Sequence, residues 1–449
     1  MMNLSFISLF KFNIEIDMYL HKELETMSRD EINAYQLEKL KSTITHCMNS
    51  PFYKKRFDQE KLSADSIKSL NDLRRFPFTT KEDLRATYPF GMAAVPLEKC
   101  IRLHSSSGTT GNPTVILHTR NDIDAWADAM ARCMYMVGMR PNDVFQNSSG
   151  YGMFTGGLGM QYGAERLGML TVPAGAGNTK RQIKFMKDFG TTCLHAIPSY
   201  ASRLYEVMKE EGIDPGRDLK LRVLAIGAEP HSDEQRHRIE DMLGVKAYNS
   251  FGMSEMCGPG VAFECPEQNG MHIWEDYYIV EIIDPVTLEP VPDGEIGEMV
   301  LTTLKREAMP MIRYRTRDLT RILPGECPCG RHHKRLARMQ GRSDDMIILK
   351  GVNIFPIQIE QILMRYKELG SDYLITLNRE DINDSMTIEV ELNQLFTDDY
   401  GRLQSLTRDI TRELKDEILV TPYVKLVSKG SLPRTEGKAK RVVDNRITH

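Results

Sequence analysis

Apolar positions recur at helical spacing through residues 32–48 (INAYQLEKLKSTITHCM), within a polar stretch, residues 30–90, expected to be helical and to pack outside the main sheet. From about residue 100 the pattern changes to short apolar runs, each followed by an amphipathic segment. TTCLHAI precedes PSYASRLYEVMKEEG, and LRVLAIG precedes SDEQRHRIEDMLG. Strands alternating with helices predict βαβ units and a largely parallel sheet, whose ligands bind beyond the carboxyl ends of the strands. The Gly-containing segments after those strands are therefore where chemistry is sought.

A second pattern begins near residue 342. FPIQIEQILMRYKEL reads as a helix, YLITLN as a strand, and MTIEVEL as a strand alternating at Met386, Ile388, Val390 and Leu392. A helix follows with Leu403, Leu406, Ile410, Leu414 and Ile418 on one face, then the strand YVKLVS and a basic tail. The expected architecture is an α/β N-terminal domain, residues 1–341, with mostly parallel sheets flanked by helices, and a small mobile α+β C-terminal domain, residues 342–449. No internal repeat or low-complexity segment interrupts this plan.

Composition narrows the function. With 449 residues and 41% hydrophobic content the chain exceeds the roughly 250–300 residues of one core, which agrees with two domains. The formal charge of −4 is spread without long blocks of one sign, which argues against nucleic acid or a membrane surface as partner. No run approaches the roughly 18 consecutive apolar residues of a spanning helix. The segment before Met18 lacks a basic start and a small-residue cleavage site, so it reads as a docked tail or an upstream start codon. Eight cysteines are too few for a disulfide scaffold, and a cytoplasmic enzyme is expected.

The run Ser105, Ser106, Ser107, Gly108, Thr109, Thr110, Gly111, Asn112, Pro113, Thr114 follows the apolar IRLH. Glycines bring backbone N–H groups close to an oxyanion, and hydroxyls add donors that rotate to suit a phosphate. The same composition also suits a plain Ser/Gly linker. A P-loop is disfavoured, because Asn112 stands where a lysine is required.

This loop is similar to the phosphate-binding signature of the adenylate-forming superfamily, and four more segments match in order. They are Phe251-Gly252-Met253-Ser254-Glu255 with Asn249 and Ser250 before it, Tyr314 to Asp318, Gly341 to Asp345, and Pro433 to Lys438. Within the superfamily, Ser149 to Gly159, Gly227-Ala228-Glu229-Pro230 and Ser343 to Pro356 resemble the phenylacetate-CoA ligase branch. One departure is the absence of the lysine that relatives carry in or just after the glycine-rich loop.

The resemblance implies an ATP-dependent ligase that forms an acyl-adenylate from a carboxylic acid, an aryl or arylacetic acid such as phenylacetate, and transfers the acyl group to coenzyme A. It implies that Ser106 to Gly111 hold the phosphates, that Glu255 holds Mg2+, and that Asp318 accepts from the ribose hydroxyls. Ala228, Glu229 and Pro230 with Asn249 to Ser254 would line the nucleotide, and Arg342 would contact it near the domain junction. Lys438 would reach the developing charge, and Asp344 would be the hinge on which the small domain turns. Tyr151, Gly152, Phe154, Gly156 and Gly157 would accept a flat acyl group, an aromatic wall beside glycines that leave room for a ring. Each has a plainer reading: a solvated Glu255, an ion pair of Asp318 with Arg313, Arg315 or Arg317, an ordinary helix start at Tyr151, and a basic tail around Lys438.

Cys327-Pro-Cys329 is a short chelating turn, and Cys265 and His272 supply two further ligands for a tetrahedral structural zinc. Cys257, His332 and His333 compete for places in that shell, and unrelated buried thiols are the simpler alternative. Two other readings of the chain stand beside the ligase: adenylation with a different acceptor, as in cofactor adenylylation, and a silent nucleotide-binding relative. A homodimer is a further expectation.

Overall fold

The structure, a computed structural model, describes residues 18–105, 112–380, 383–393, 400–433 and 439–446. Nine strands form the main sheet in the order Ile322–Leu323, Arg335–Leu336, Met271–Ile273, Gly258–Glu264, Lys246–Met253, Val223–Gly227, Cys193–Ala196, Val144–Asn147, Leu170–Val172. From Lys246–Met253 to Leu170–Val172 neighbouring strands are parallel, and the others pair antiparallel. Both sequence-read βαβ steps are present, with helices Pro198–Glu210 and Asp233–Leu243 following Cys193–Ala196 and Val223–Gly227. Pro198 opens the first of these helices, where its missing N–H costs nothing. Ser232 caps the second by accepting from the Gln235 N–H.

A second sheet, Tyr278–Ile283, Gly297–Thr303, Tyr314–Thr320 and Gly341–Arg342, is wholly antiparallel. Helix Arg29–Cys47 packs on it, outside the nine-stranded sheet, with a capping box between Ser28 and Glu31 and with Gln36 donating to the carbonyls of Glu275 and Tyr278. Leu40, Ile44, Tyr53 and Phe57 are fully buried there, so this polar-looking stretch contributes to the main core.

The start of the described chain is tied to a loop far along it. The Tyr19 hydroxyl donates to the Cys329 carbonyl at 2.7 Å, Arg331 donates to the Met18 carbonyl and to Glu25, and His333 donates to the Leu24 carbonyl. Glu25 and Arg331 are fully buried beside Arg132 and Asp276, so each charge has a partner of opposite sign.

The C-terminal sheet runs Tyr423–Val427, Asn383–Leu392, Leu369–Glu380, Val442–Asp444, covered by helices Pro356–Leu363 and Tyr400–Ile418. Its apolar cluster draws on residues 347–442 and is separate from the main core. No helix among the described residues is long and apolar enough to cross a membrane.

Candidate active site at the carboxyl ends of the parallel strands

Val223–Gly227 and Lys246–Met253 run in parallel register, Ile226 beside Asn249 and Gly227 beside Ser250, so the loops that leave them emerge side by side. A Cβ on Gly227 would lie 2.2 Å from the Ser250 carbonyl oxygen, and one on Gly252 would lie 2.1 Å from that of Gly258. Only glycine permits these approaches. Ala228 takes a left-handed φ of 66°, turning the chain sharply into Glu229 and Pro230. Asn249 is fixed through its N–H, which donates to Glu264 at 2.7 Å.

Glu255 sits in the 3-10 turn Ser254–Met256 and is buried. Arg306 pins the turn by donating to the Glu255 carbonyl and, through its other nitrogen, to that of Leu117. The buried Tyr314 hydroxyl is pushed well above its ordinary pKa by burial and by the neighbouring Glu255 carboxylate. Neither partner carried a role in the sequence reading. Tyr314 was quoted as part of a motif, and nothing in sequence marks Arg306.

Asp318 is paired across the antiparallel strands with Arg342, whose Nη1 lies 3.8 Å from its Oδ1. The three arginines near it in sequence turn elsewhere: Arg313 to Glu281, and Arg315 and Arg317 to Glu298. Burial raises the Asp318 pKa to about 6, against the pull of Arg342 and the hydrogen bond with Thr316. Arg342 also makes a two-pronged contact with Asp344, at 2.8 Å on each prong. Burial opposes ionisation of Asp344, yet those hydrogen bonds bring its pKa below the usual value.

The segment from Tyr151 meets both neighbours of the phosphate loop and the Glu255 turn. The Met153 carbonyl accepts from Ser105 N–H at 3.1 Å and from His104, while the hydroxyls of Thr155 and Ser254 are 3.2 Å apart. Asn147 holds the segment closed by donating to the Tyr151 oxygen and to the Gly157 carbonyl. A Cβ on Gly157 would strike the Gly150 carbonyl at 2.5 Å, whereas Gly152 and Gly156 face open space. Phe154 is 57% exposed, so it borders an open face and is not an ordinary core aromatic. Ser106, Ser107, Gly108, Thr109, Thr110, Gly111 and Lys438 lie outside the described residues.

Cys265, His272, Cys327 and Cys329 converge with one ligand atom each, all within 4.8 Å of one another. The Sγ atoms of Cys265 and Cys327 are 3.7 Å apart, close to the edge of about 3.8 Å in a tetrahedron with zinc–sulfur bonds of about 2.3 Å. His272 Nδ1 donates to the His333 carbonyl, which leaves Nε2 for the cluster at 3.3 Å from Cys329 Sγ. The competitors lie elsewhere. His333 uses both ring nitrogens on Leu24 and Glu275, His332 faces Met27, and Cys257 faces His118.

Residues 29–304 match the AMP-binding enzyme family, and residues 351–446 match the AMP-binding enzyme C-terminal domain. The chain is 46% identical to a phenylacetate-coenzyme A ligase of Pseudomonas putida over 96% of its length and 98% of that protein. It is 43% identical to one of Escherichia coli over 94% and 97%. The chain belongs to the phenylacetate-CoA ligase family. Like the family, it is an AMP-forming acid–thiol ligase, activating a carboxylic acid with ATP as an acyl-adenylate and passing the acyl group to coenzyme A. Neither a different acceptor nor a silent nucleotide-binding role has support among these likenesses. Among solved structures, 2-hydroxyisobutyryl-CoA ligase in its postadenylation state superposes with a TM-score of 0.90, at 30% identity, covering 99% of this chain and 95% of that one. The same ligase in its thioesterification state reaches 0.71, covering 96% and 93%. The domain arrangement of this chain is therefore closer to that of the first of these structures than to that of the second.

Proposed function

We propose that this ligase acts on an arylacetic acid of the phenylacetate type, in the cytoplasm, as a homodimer. The supporting observation is the convergence of Tyr151 to Gly157 on Ser105 and Ser254, with open space beside Gly152 and Gly156 and the exposed Phe154 ring near the Glu255 turn. The acid's carboxylate attacks the α-phosphorus of ATP and pyrophosphate leaves. The thiolate of coenzyme A then attacks the acyl carbonyl and AMP leaves.

In this reading Glu255 is the protein's ligand for Mg2+, a hard cation that takes one or two carboxylates and otherwise binds phosphate oxygens and water. The ion would neutralise charge on the phosphates. Ser106 to Gly111 hold the phosphates, and Ala228 to Pro230 with Asn249 to Ser254 flank the adenosine. Asp318, ionised, accepts from the ribose hydroxyls while Arg342 steadies it. Lys438 supplies the mobile positive charge of the first half-reaction, and Asp344, at the start of the C-terminal domain that we take from residue 342, is the hinge. Cys265, His272, Cys327 and Cys329 hold a structural Zn2+ that ties the loop at residues 327–333 to the sheet.

The test is pyrophosphate release with ATP and Mg2+ across phenylacetate, substituted benzoates and short aliphatic acids, with and without coenzyme A, and with Lys438→Ala as control. Release that depends on an arylacetic acid and collapses in the variant supports the reading. Preference for an aliphatic acid would overturn the acid assignment.

A further inference from the structure

The two domains meet through hydrogen bonds that cross in opposite directions. Glu229, on the large domain, accepts from the N–H of Ala439 at 2.7 Å, and the same carboxylate is braced by the N–H and hydroxyl of Ser199 at 3.1 and 3.0 Å. Glu360, on the small domain, accepts from the N–H of Ser232 at 2.8 Å and is braced by the Tyr373 hydroxyl at 3.0 Å. Glu360 is 3% exposed, so the contact is sealed from water. Arg238 adds a third link by donating to the carbonyls of Tyr366 and Leu369. All three large-domain partners lie between Gly227 and the end of helix Asp233–Leu243, on the segment that leaves the central parallel strand.

Both carboxylates grip main-chain N–H groups. A side chain can swing while its backbone stays, but a gripped N–H fixes the chain itself. Ala439 directly follows Lys438 in sequence, so the Glu229 contact sets the backbone one residue from the proposed catalytic amine. Glu360 is buried and Glu229 half-buried against these backbone donors, so rotation of the small domain strands the first carboxylate and costs the second a charge-assisted bond unless water or new donors replace them.

We propose that Glu229 and Glu360 are positioning residues forming a reciprocal latch, which holds the small domain in the arrangement shared with the postadenylation ligase, taken as that of the first half-reaction, and registers Lys438 there. The registering of Lys438 rests on the role proposed for that residue; the latch itself rests on the domain contacts. Glu229 thus has two sides: its backbone belongs to the turn beside the nucleotide, and its side chain faces the other domain. Its strength sets the partition of the enzyme between the two half-reactions.

The experiment uses the full-length protein and its variants Glu229→Ala, Glu229→Gln and Glu360→Gln. Glu206 and Lys429 form an interdomain ion pair at 3.0 Å, outside the latch. A zero-length carbodiimide crosslink between them, quantified by mass spectrometry, reports the closed arrangement. Separate assays follow acid-dependent pyrophosphate release and thioester formation from added acyl-adenylate. The crosslink is expected to fall at least threefold in Glu229→Ala, with smaller falls in Glu229→Gln and Glu360→Gln, each of which keeps one acceptor oxygen. The ratio of adenylation to thioester formation is expected to drop at least tenfold. An unchanged crosslink in all three variants overturns the latch, as does an equal fall in the two half-reactions, which would mark a nucleotide or folding role alone. Should the unaltered enzyme activate no arylacetic acid, the acid assignment falls while the crosslink still decides the latch.

Discussion

Asp318 and Arg342 face each other across two antiparallel strands, and the arginine that steadies Asp318 on one side grips Asp344 on the other. One guanidinium thereby joins the proposed ribose ligand to the proposed hinge. Asp318→Asn keeps the shape and removes the charge-assisted acceptor. Hydrogen bonds to charged groups contribute about 1.5–3 kcal/mol, so kcat/KM for ATP should fall about 10- to 100-fold. Steady-state kinetics at saturating acid checks this.

The same carboxyl predicts a pH dependence. Its pKa of about 6 lies above the ordinary value of 3.8, so the folded protein binds this proton more tightly than the unfolded chain. The group therefore favours folding below about pH 4, and that contribution is lost as pH rises through about 6. Ionised at neutral pH, it costs stability on the order of 3 kcal/mol. Asp318→Asn should raise the urea midpoint at pH 7.5 and leave it nearly unchanged at pH 4. Its removal should also flatten the acid limb of the adenylation rate near pH 6.

Glu255→Gln leaves the turn's backbone contact with Arg306 in place and removes the carboxylate. Adenylation should drop by about a hundredfold or more, in the range seen when one electrostatic stabiliser is removed from an active site. The residual rate should also lose much of its Mg2+ dependence. A metal titration of the variant against the unaltered enzyme is the check.

Gly156 and Gly157 are adjacent but should behave differently. Alanine at 157 pushes a methyl group against the Gly150 carbonyl and should cost about 1–3 kcal/mol of stability. Alanine at 156 meets open space, so stability should hold while KM for a bulky aryl acid rises. Paired thermal melts and acid titrations separate the two.

If the Cys265, His272, Cys327 and Cys329 cluster holds zinc as proposed, the protein should bind one equivalent, and Cys327→Ser should reduce it toward none and lower the melting temperature. Chelation of the unaltered protein should produce the same shift. Metal analysis by mass spectrometry together with a thermal melt tests both.

How much of this could be read from sequence differs by element. The βαβ steps were legible because strands Cys193–Ala196 and Val223–Gly227 are buried along their whole length and their helices are amphipathic. The four zinc-ligand candidates were legible because soft ligands are rare enough for spacing to single them out. The antiparallel sheet of Tyr278–Ile283 and its neighbours was not, since its pairing joins strands separated by long loops and leaves no local period. Val442–Asp444 read as basic tail because only three residues pair, in parallel with Ile375 to Leu377. The helix expected over FPIQIEQILMRYKEL stops at Leu363, and its last residues turn toward Arg238. The side chain of Glu229 was read only as part of a nucleotide-lining segment, because its partner lies 210 residues away.

The tie between Tyr19 and Cys329 spans 310 residues of chain. On a ribosome adding about 5–20 residues per second, the first of these waits roughly 15–60 s for the second to be made. Buried Glu25 likewise has no Arg331 to neutralise it until then. The segment around Tyr19 and Glu25 is thus among the last parts to settle, and nascent molecules carry Glu25 with only its local N–H partners and Arg132, without Arg331, for much of their synthesis. A ribosome-bound chain truncated before residue 327 should remain open to proteolysis near Glu25, and one extended past residue 336 should not.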